Sequence, residues 1–249
     1  MSVLRSRDNP RVKRWARLAR DAGFRKKEHA TLVEGHHLVE EALAAGLKPL
    51  AVLASESAVE ARKLATVVVS DSVFRLIADA ETPQGIAAEI AIPRQKAVES
   101  GPVVFLEGVQ DPSNVGAIVR SAAAFGVAEV VVDRGCADPW APKALRAGMG
   151  GHFRLSIAHV ASLSEVLNNF DGNLICTLAR GGRPLRDAKL SGRLGWIFGA
   201  EGSGVSEAVA SRAGLRVTIP MQDGVESLNV AASAAICLYE AFSRSAAGS

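Results

Sequence analysis

The chain has 249 residues, of which 48% are hydrophobic, and a net charge of +3. That is enough apolar material for two modest packed domains or one large one. No run approaches the ~20 apolar residues of a membrane span, and no apolar segment follows the first charges as it does in a signal peptide. No membrane association and a cytoplasmic location are therefore expected. The three cysteines, Cys136, Cys176 and Cys237, are odd in number and widely spaced. They read as reduced, mostly buried thiols of a cytosolic protein.

The charge is unevenly placed. Residues 1–30 hold ten Lys and Arg against three acids, a net +7, which leaves −4 for the rest. A basic end of this kind suits a polyanion partner.

In chain order, Asn9-Pro10 opens a helix, "RVKRWARLARDAG", with Val12, Trp15, Ala16 and Ala19 on one face and basic residues on the other. "HATLVEG" reads as a strand, "HHLVEEALAAG" as a helix, "LAVLAS" and "ATVVVS" as strands, "DSVFRLIA" as a helix and "GIAAEIAI" as a strand. Residues 1–92 thus form a small α/β unit. Residues 93–101, within the polar, proline-bounded "PRQKAVESGP", form a linker.

From residue 102 to 249 apolar strands alternate with helices. The strands are "VVFLEGV", "EVVVD", "RLSIAHV", "LICTLA", "GWIFGAE" and "RVTIP"; the helices fall at 114–125, 139–149, 162–169, 206–213 and 227–243, and the last residues, "SRSAAGS", fray. The pattern predicts a largely parallel sheet covered on both faces, with ligands beyond the carboxyl ends of its strands.

Three loops carry candidate chemistry. In "LEGVQDPSNVGAIVRSAAAFG" a strand enters a helix through Asp111-Pro112-Ser113-Asn114, and Arg120 sits among Gly116, Ala117, Ala123 and Ala124. A surface arginine and an arginine facing a ligand are both compatible with that spacing, and Asn114, on spacing alone, reads as a helix cap more readily than as a catalytic group. In "WIFGAEGSGVS", Gly199, Glu201, Gly202 and Gly204 precede Ser206, a helix cap. This is neither a dinucleotide fingerprint nor a P-loop, and the acid disfavours phosphate. In "IPMQDGVESLNVAASAAICLYE", Ser227 and Asn229 fall in the first turn of an Ala-rich helix that is apolar nearly all round, so a second subunit could cover one side. The five histidines never combine with cysteine or acids at ligand spacing, so no metal is expected. Ser203 lacks the context of a nucleophile elbow.

Together the three loops resemble the three motifs of the SpoU/TrmH family of RNA 2′-O-ribose methyltransferases, in that family's order. The first half is similar to the family's substrate-binding domain, through "RVKRWARLARD", "TLVEGHHLVEEAL" and "TPQGIAAEI". The resemblance implies an α/β fold in which the C-terminal, mostly parallel sheet is threaded as a trefoil knot, preceded by a small ribosomal-protein-like RNA-binding domain. It implies S-adenosylmethionine as cofactor and a homodimer. Matched by motif, Asn114, Arg120, Glu201, Ser227 and Asn229 would form the catalytic centre. Thr177, Leu178, Gly199, Ile219, Met221 and Leu228 would hold the cofactor. Ribosomal RNA is the favoured substrate and transfer RNA the alternative. A non-catalytic RNA-binding or ribosome-assembly factor on the same scaffold is a further alternative. A Rossmann-type methyltransferase would carry its glycine loop after its first strand, whereas here the glycines come late. The family's matching arginine is proposed as the base. Because a guanidinium gives up its proton poorly, an orienting and electrostatic role is the favoured one for Arg120.

Overall fold

The computed structural model describes residues 2–95 and 98–247. Lys96 and Ala97 of the expected linker, and Gly248 and Ser249 of the expected frayed end, lie outside the described residues. By contact the chain divides into two compact units, one of residues 1–94 with 138–153, the other of residues 95–137 with 154–249.

The elements are, in order, β1 (Val3–Leu4), α1 (Pro10–Arg20), α2 (Ala22–Glu28), β2 (Ala30–Glu34), α3 (His36–Ala44), β3 (Ala51–Ser55), β4 (Val67–Val69), α4 (Asp71–Ile77) and β5 (Ile86–Ala91). There follow β6 (Val103–Glu107), α5 (Pro112–Ala124), β7 (Glu129–Asp133), α6 (Pro142–Gly148), β8 (Ser156–Val160) and α7 (Leu163–Asn168). Last come β9 (Asn173–Thr177), β10 (Arg183–Pro184), β11 (Leu194–Gly199), α8 (Glu207–Ala210), β12 (Leu215–Thr218) and α9 (Val230–Ala247). Among the described residues no helix is long and apolar enough to cross a membrane.

The first unit is built on a five-stranded sheet of order β1-β4-β3-β5-β2, with β5 antiparallel to both neighbours. The apolar face of α1 is buried through Val12, Trp15, Leu18 and Ala19. Trp15 also donates its indole N–H to Glu89 Oε2 at 2.7 Å, which satisfies a polar group that burial would otherwise strand. The expected first helix is in fact two. Asp21 is extended, ends α1, and caps α2 by accepting from the Phe24 N–H, so Gly23 lies inside the second helix rather than closing the first.

Segment 138–153 belongs to this unit, although its place in the strand–helix alternation had assigned it to the second. The reason lies in its side chains. Arg25, only 4% exposed, donates to Asp138 Oδ2 at 2.7 Å and to the Leu18 carbonyl. Thr31 donates its hydroxyl to the Trp140 carbonyl, and Arg146 reaches both Glu34 and Asp79.

The second unit holds a seven-stranded sheet of order β10-β12-β9-β11-β6-β7-β8, with every pairing parallel. Strand β6 sends Val103 and Phe105 into a core with Val131, Ala158, Leu163, Leu167 and Ile197. Its alternate residues, Val104 and Leu106, are buried too. A strand apolar on both faces is what a doubly covered parallel sheet requires. Helix α9 packs on β11 and on α5. It begins at Val230, three residues later than expected, and runs to Ala247, past the expected fraying point.

Candidate active site

The first loop leaves β6 and enters α5, where the Asp111 carboxylate accepts from the Ser113 N–H at 2.9 Å. Asp111 is therefore the cap, and Asn114, one turn into the helix, is released for other contacts. The loop is held from beneath by β7. Asp133 Oδ1 accepts from the N–H groups of Gly108, Gly135 and Cys136, each at 3.0 Å. The Cys136 thiol donates to the Leu106 carbonyl and accepts from the Val109 N–H. Burial pushes that thiol up to about 12, so it keeps its proton. Cys176 and Cys237 are buried and Cys136 half-buried, all three free.

Arg120 is exposed on α5, above the buried Gly116, and its guanidinium makes no ion pair or hydrogen bond to any described residue. An unpartnered fork beside small side chains is open to a bound anion.

The second loop turns back at once. Gly204 donates to the Ala200 carbonyl at 2.9 Å, and a Cβ on Gly199 would lie 2.2 Å from the Gly204 carbonyl carbon. Only glycine fits there. Ser206 caps α8 as its position suggested.

In the third loop Ser227 lies outside the helix, which begins at Val230. Asn229 is the cap, its Oδ1 accepting from the N–H groups of Ala231 at 2.9 Å and Ala232 at 3.2 Å. That fixes the amide. Asn229 Nδ2 donates to Asn114 Oδ1 at 3.0 Å, and Asn114 Nδ2 donates to Glu201 Oε1 at 2.5 Å. One residue from each loop is thus joined in a single directed chain of hydrogen bonds.

A cleft of about 590 Å³ opens beside this chain, beyond the carboxyl ends of β9, β11 and β12. Thr177, Leu178, Gly199, Ile219, Met221 and Leu228, the expected cofactor residues, all line it, and so do Glu201 and Ser227. Asn114, Arg120 and Asn229 do not line it; the two asparagines reach its wall through Glu201. A second hollow, of about 460 Å³, lies by Gly172, Lys189 and Arg212 at the far end of β9 and contains none of the motif residues.

The cleft suits S-adenosylmethionine in size and in chemistry. Leu178, Ile219, Met221 and Leu228 supply apolar surface for a base. Glu201 and Glu226 supply negative charge for a cationic ligand. The N–H groups of Glu226, Ser227 and Leu228 have no partner among the described residues, so donors stand free at the rim. Arg180, also on the rim, donates to the Val225 carbonyl and ties two of the lining loops together.

The SpoU rRNA methylase family model matches residues 101–239, more than half of the chain, and the MRM3-like substrate-binding domain matches residues 9–88. The chain belongs to the SpoU family. A SpoU enzyme is an RNA 2′-O-ribose methyltransferase that draws its methyl group from S-adenosylmethionine, and this chain is one. It is 32% identical over 245 residues to the 23S rRNA (guanosine(2553)-2′-O)-methyltransferase RlmP of Bacillus subtilis, covering 96% of this chain and 98% of that protein. Among solved structures, an RNA 2′-O ribose methyltransferase is 30% identical with a TM-score of 0.82, covering 98% of this chain and all of the other. An AdoMet-bound rRNA methyltransferase from Sinorhizobium meliloti is 25% identical with a TM-score of 0.84, with 98% of each covered.

Glu107, Asp133 and Cys136 were missed in the sequence. The partner of Glu107, Ser206, lies 99 residues away, and the links of Asp133 and Cys136 to Gly108, Val109 and Leu106 span 25 to 30 residues, so no local spacing signals them.

Proposed function

We propose that this SpoU enzyme methylates a ribose 2′-hydroxyl of ribosomal RNA, with transfer RNA as the alternative substrate, and that the cleft between the three motif loops is its active site. The observation that carries the reading is the hydrogen-bonded chain Asn229–Asn114–Glu201 at the cleft wall. Relatives named as rRNA methyltransferases support the choice of RNA.

Bound S-adenosylmethionine supplies an electrophilic methyl group on a sulfonium. The protein must hold the hydroxyl in line with that methyl and help it lose its proton, which passes to water as the oxygen–carbon bond forms and the sulfur–carbon bond breaks. Gly199, Ile219 and Leu228 bind the cofactor through their backbone, with Thr177, Leu178 and Met221 completing the walls. Arg120, unpaired with any carboxylate among the described residues, holds the phosphate next to the reacting ribose and stabilises negative charge developing on the oxygen. Asn114, Glu201, Ser227 and Asn229 orient the hydroxyl.

Residues 1–92 serve as the RNA-binding domain, 93–101 as linker and 102–249 as methyltransferase domain, apart from segment 138–153, which packs within the first compact unit; the C-terminal segment is threaded as a trefoil knot. The enzyme works as a cytoplasmic homodimer. In support, α9 leaves Ile236, Tyr239 and Phe242 exposed by 41, 56 and 47%, at the spacing of one helix face. Phe125 adds its ring to Tyr239 and Phe242 at 5.8 and 5.9 Å. A contiguous apolar stripe of that kind marks a contact surface.

The test is methylation of RNA from a strain lacking this protein, with labelled cofactor, followed by digestion to nucleosides. A 2′-O-methylnucleoside in ribosomal RNA is expected. Label confined to transfer RNA would replace the substrate assignment, and label in neither would overturn the reading.

A further inference from the structure

We propose that Glu107, at the end of β6, is a positioning residue for the cofactor cleft: it grips both feet of the loop that carries Glu201. The proposal rests on the reading of that cleft as the S-adenosylmethionine site.

The loop leaves the sheet at Gly199 and rejoins regular structure at Ser206, the cap of α8. Its first foot is Gly199, which lies opposite Glu107 in the parallel register of β11 and β6. Its second foot is held by the Glu107 side chain. One carboxylate oxygen accepts from the Ser206 N–H at 2.7 Å, and the other accepts from the Ser206 hydroxyl at 2.6 Å. Hydrogen bonds to an ionised acceptor are the strong ones.

Between its feet the loop is closed on itself. Gly204 donates to the Ala200 carbonyl, and Gly199 packs against Gly204 too tightly for any side chain. The segment therefore shifts as a body if it shifts at all, and the grip of Glu107 on Ser206 sets where it lies. Residues Gly199 to Val205 form one wall of the cleft. Glu201, on that wall, accepts from Asn114. Releasing Ser206 thus displaces a cofactor wall and breaks the link among the three motif loops together, without removing any group from the cleft.

The chemistry of the grip makes a conservative variant informative. In Glu107→Gln the amide oxygen still accepts from the Ser206 N–H, and the amide NH2 donates to the Ser206 oxygen. Glu107→Ala leaves both Ser206 donors without this partner. Ser206→Ala keeps the N–H contact and loses the hydroxyl.

Calorimetric binding of S-adenosylmethionine, thermal unfolding and amide hydrogen exchange at Ser206 test the proposal. Glu107→Ala is expected to weaken cofactor binding by ~10-fold or more and to speed exchange of the Ser206 amide, with a melting temperature close to that of the wild type. Glu107→Gln should stay within ~3-fold of wild-type affinity and Ser206→Ala should lose about 3-fold. If Glu107→Ala binds as tightly as the wild type, or Glu107→Gln binds as poorly as Glu107→Ala, the positioning role is overturned. Should Glu107→Ala fail to fold, unchanged affinity in Ser206→Ala overturns it equally. A wild-type chain that binds no S-adenosylmethionine would instead overturn the assignment of the cleft.

Discussion

Asn229 donates from Nδ2 to Asn114 Oδ1 at 3.0 Å while its own Oδ1 caps α9. The two roles use opposite ends of one amide, so the cap dictates which way the link runs. Asn114 is left with only its NH2 to offer Glu201.

Two substitutions separate the roles. Asn229→Ala loses cap and link, and should cost about 1 kcal/mol of stability along with cofactor affinity and turnover. Asn229→Asp keeps an acceptor at a helix N-terminus, where a negative charge is favourable, but has no N–H for Asn114. It should unfold like the wild type in urea and still transfer methyl slowly. A fast Asn229→Asp enzyme would show that the link is incidental.

The basic N-terminal segment is less free than its composition suggests. Arg25 is buried against Asp138, and Arg14 is bound to Glu28 and Glu89. Arg7, Arg20, Lys26 and Lys27 make no ion pair with any described residue and remain for RNA phosphates. Replacing those four by Ala should weaken RNA binding and flatten its salt dependence by about three units of log–log slope, while cofactor affinity holds. Filter binding from low to high salt measures it, and an unaltered slope removes this surface from RNA recognition. Arg14→Ala should act on stability instead, because it strips the buried Glu89 carboxylate of a partner.

The exposed stripe on α9 predicts assembly. Light scattering should give about twice 26.0 kDa. A charge at its centre, Tyr239→Glu, should yield monomers, since desolvating an unpaired carboxylate in an apolar interface is costly. A wild-type chain that is monomeric at micromolar concentration and still active would refute the dimer.

His152 gives the first unit a pH dependence. It is 2% exposed, and burial holds it down to about 4 from the ordinary 6.5. The unfolded chain takes up the proton near pH 6.5 and the folded one only near 4. The stabilisation is therefore whole above pH 6.5 and is lost as pH falls from 6.5 to 4, by at most about 3 kcal/mol. Urea midpoints at pH 7 and pH 5 should differ accordingly, and His152→Phe should narrow the gap. An equal gap in that variant would place the acid sensitivity elsewhere.

Much of this was legible in the sequence because it is written locally. Continuous apolar runs such as "VVFLE" and "EVVVD" announce a parallel sheet, and both became buried parallel strands. The motif resemblance named eight residues that line the cleft and three, Asn114, Arg120 and Asn229, that do not. What was not legible depends on partners distant in sequence. Helix α6 looks like any helix of the alternation until Arg146 meets Glu34 and Asp79. The start of α9 was read three residues early because Ser227 and Asn229 are both good caps, and only the orientation toward Asn114 chooses between them. Glu107 looks like an ordinary strand-end acid until Ser206, 99 residues on, is brought beside it.

The central claim is that the cleft and its three loops perform methyl transfer with Arg120 as the group that acts on the RNA. Single-turnover transfer of labelled methyl to RNA by Arg120→Ala, beside calorimetric affinity for S-adenosylmethionine, tests it most directly. The Arg120 guanidinium bonds to no described residue, so folding and cofactor affinity should be nearly those of the wild type. Transfer should fall by at least ~100-fold, with little recovery in Arg120→Lys, because an ammonium cannot reproduce the planar fork. An Arg120→Ala enzyme that kept most of its transfer rate would contradict the account and return Arg120 to an ordinary surface position.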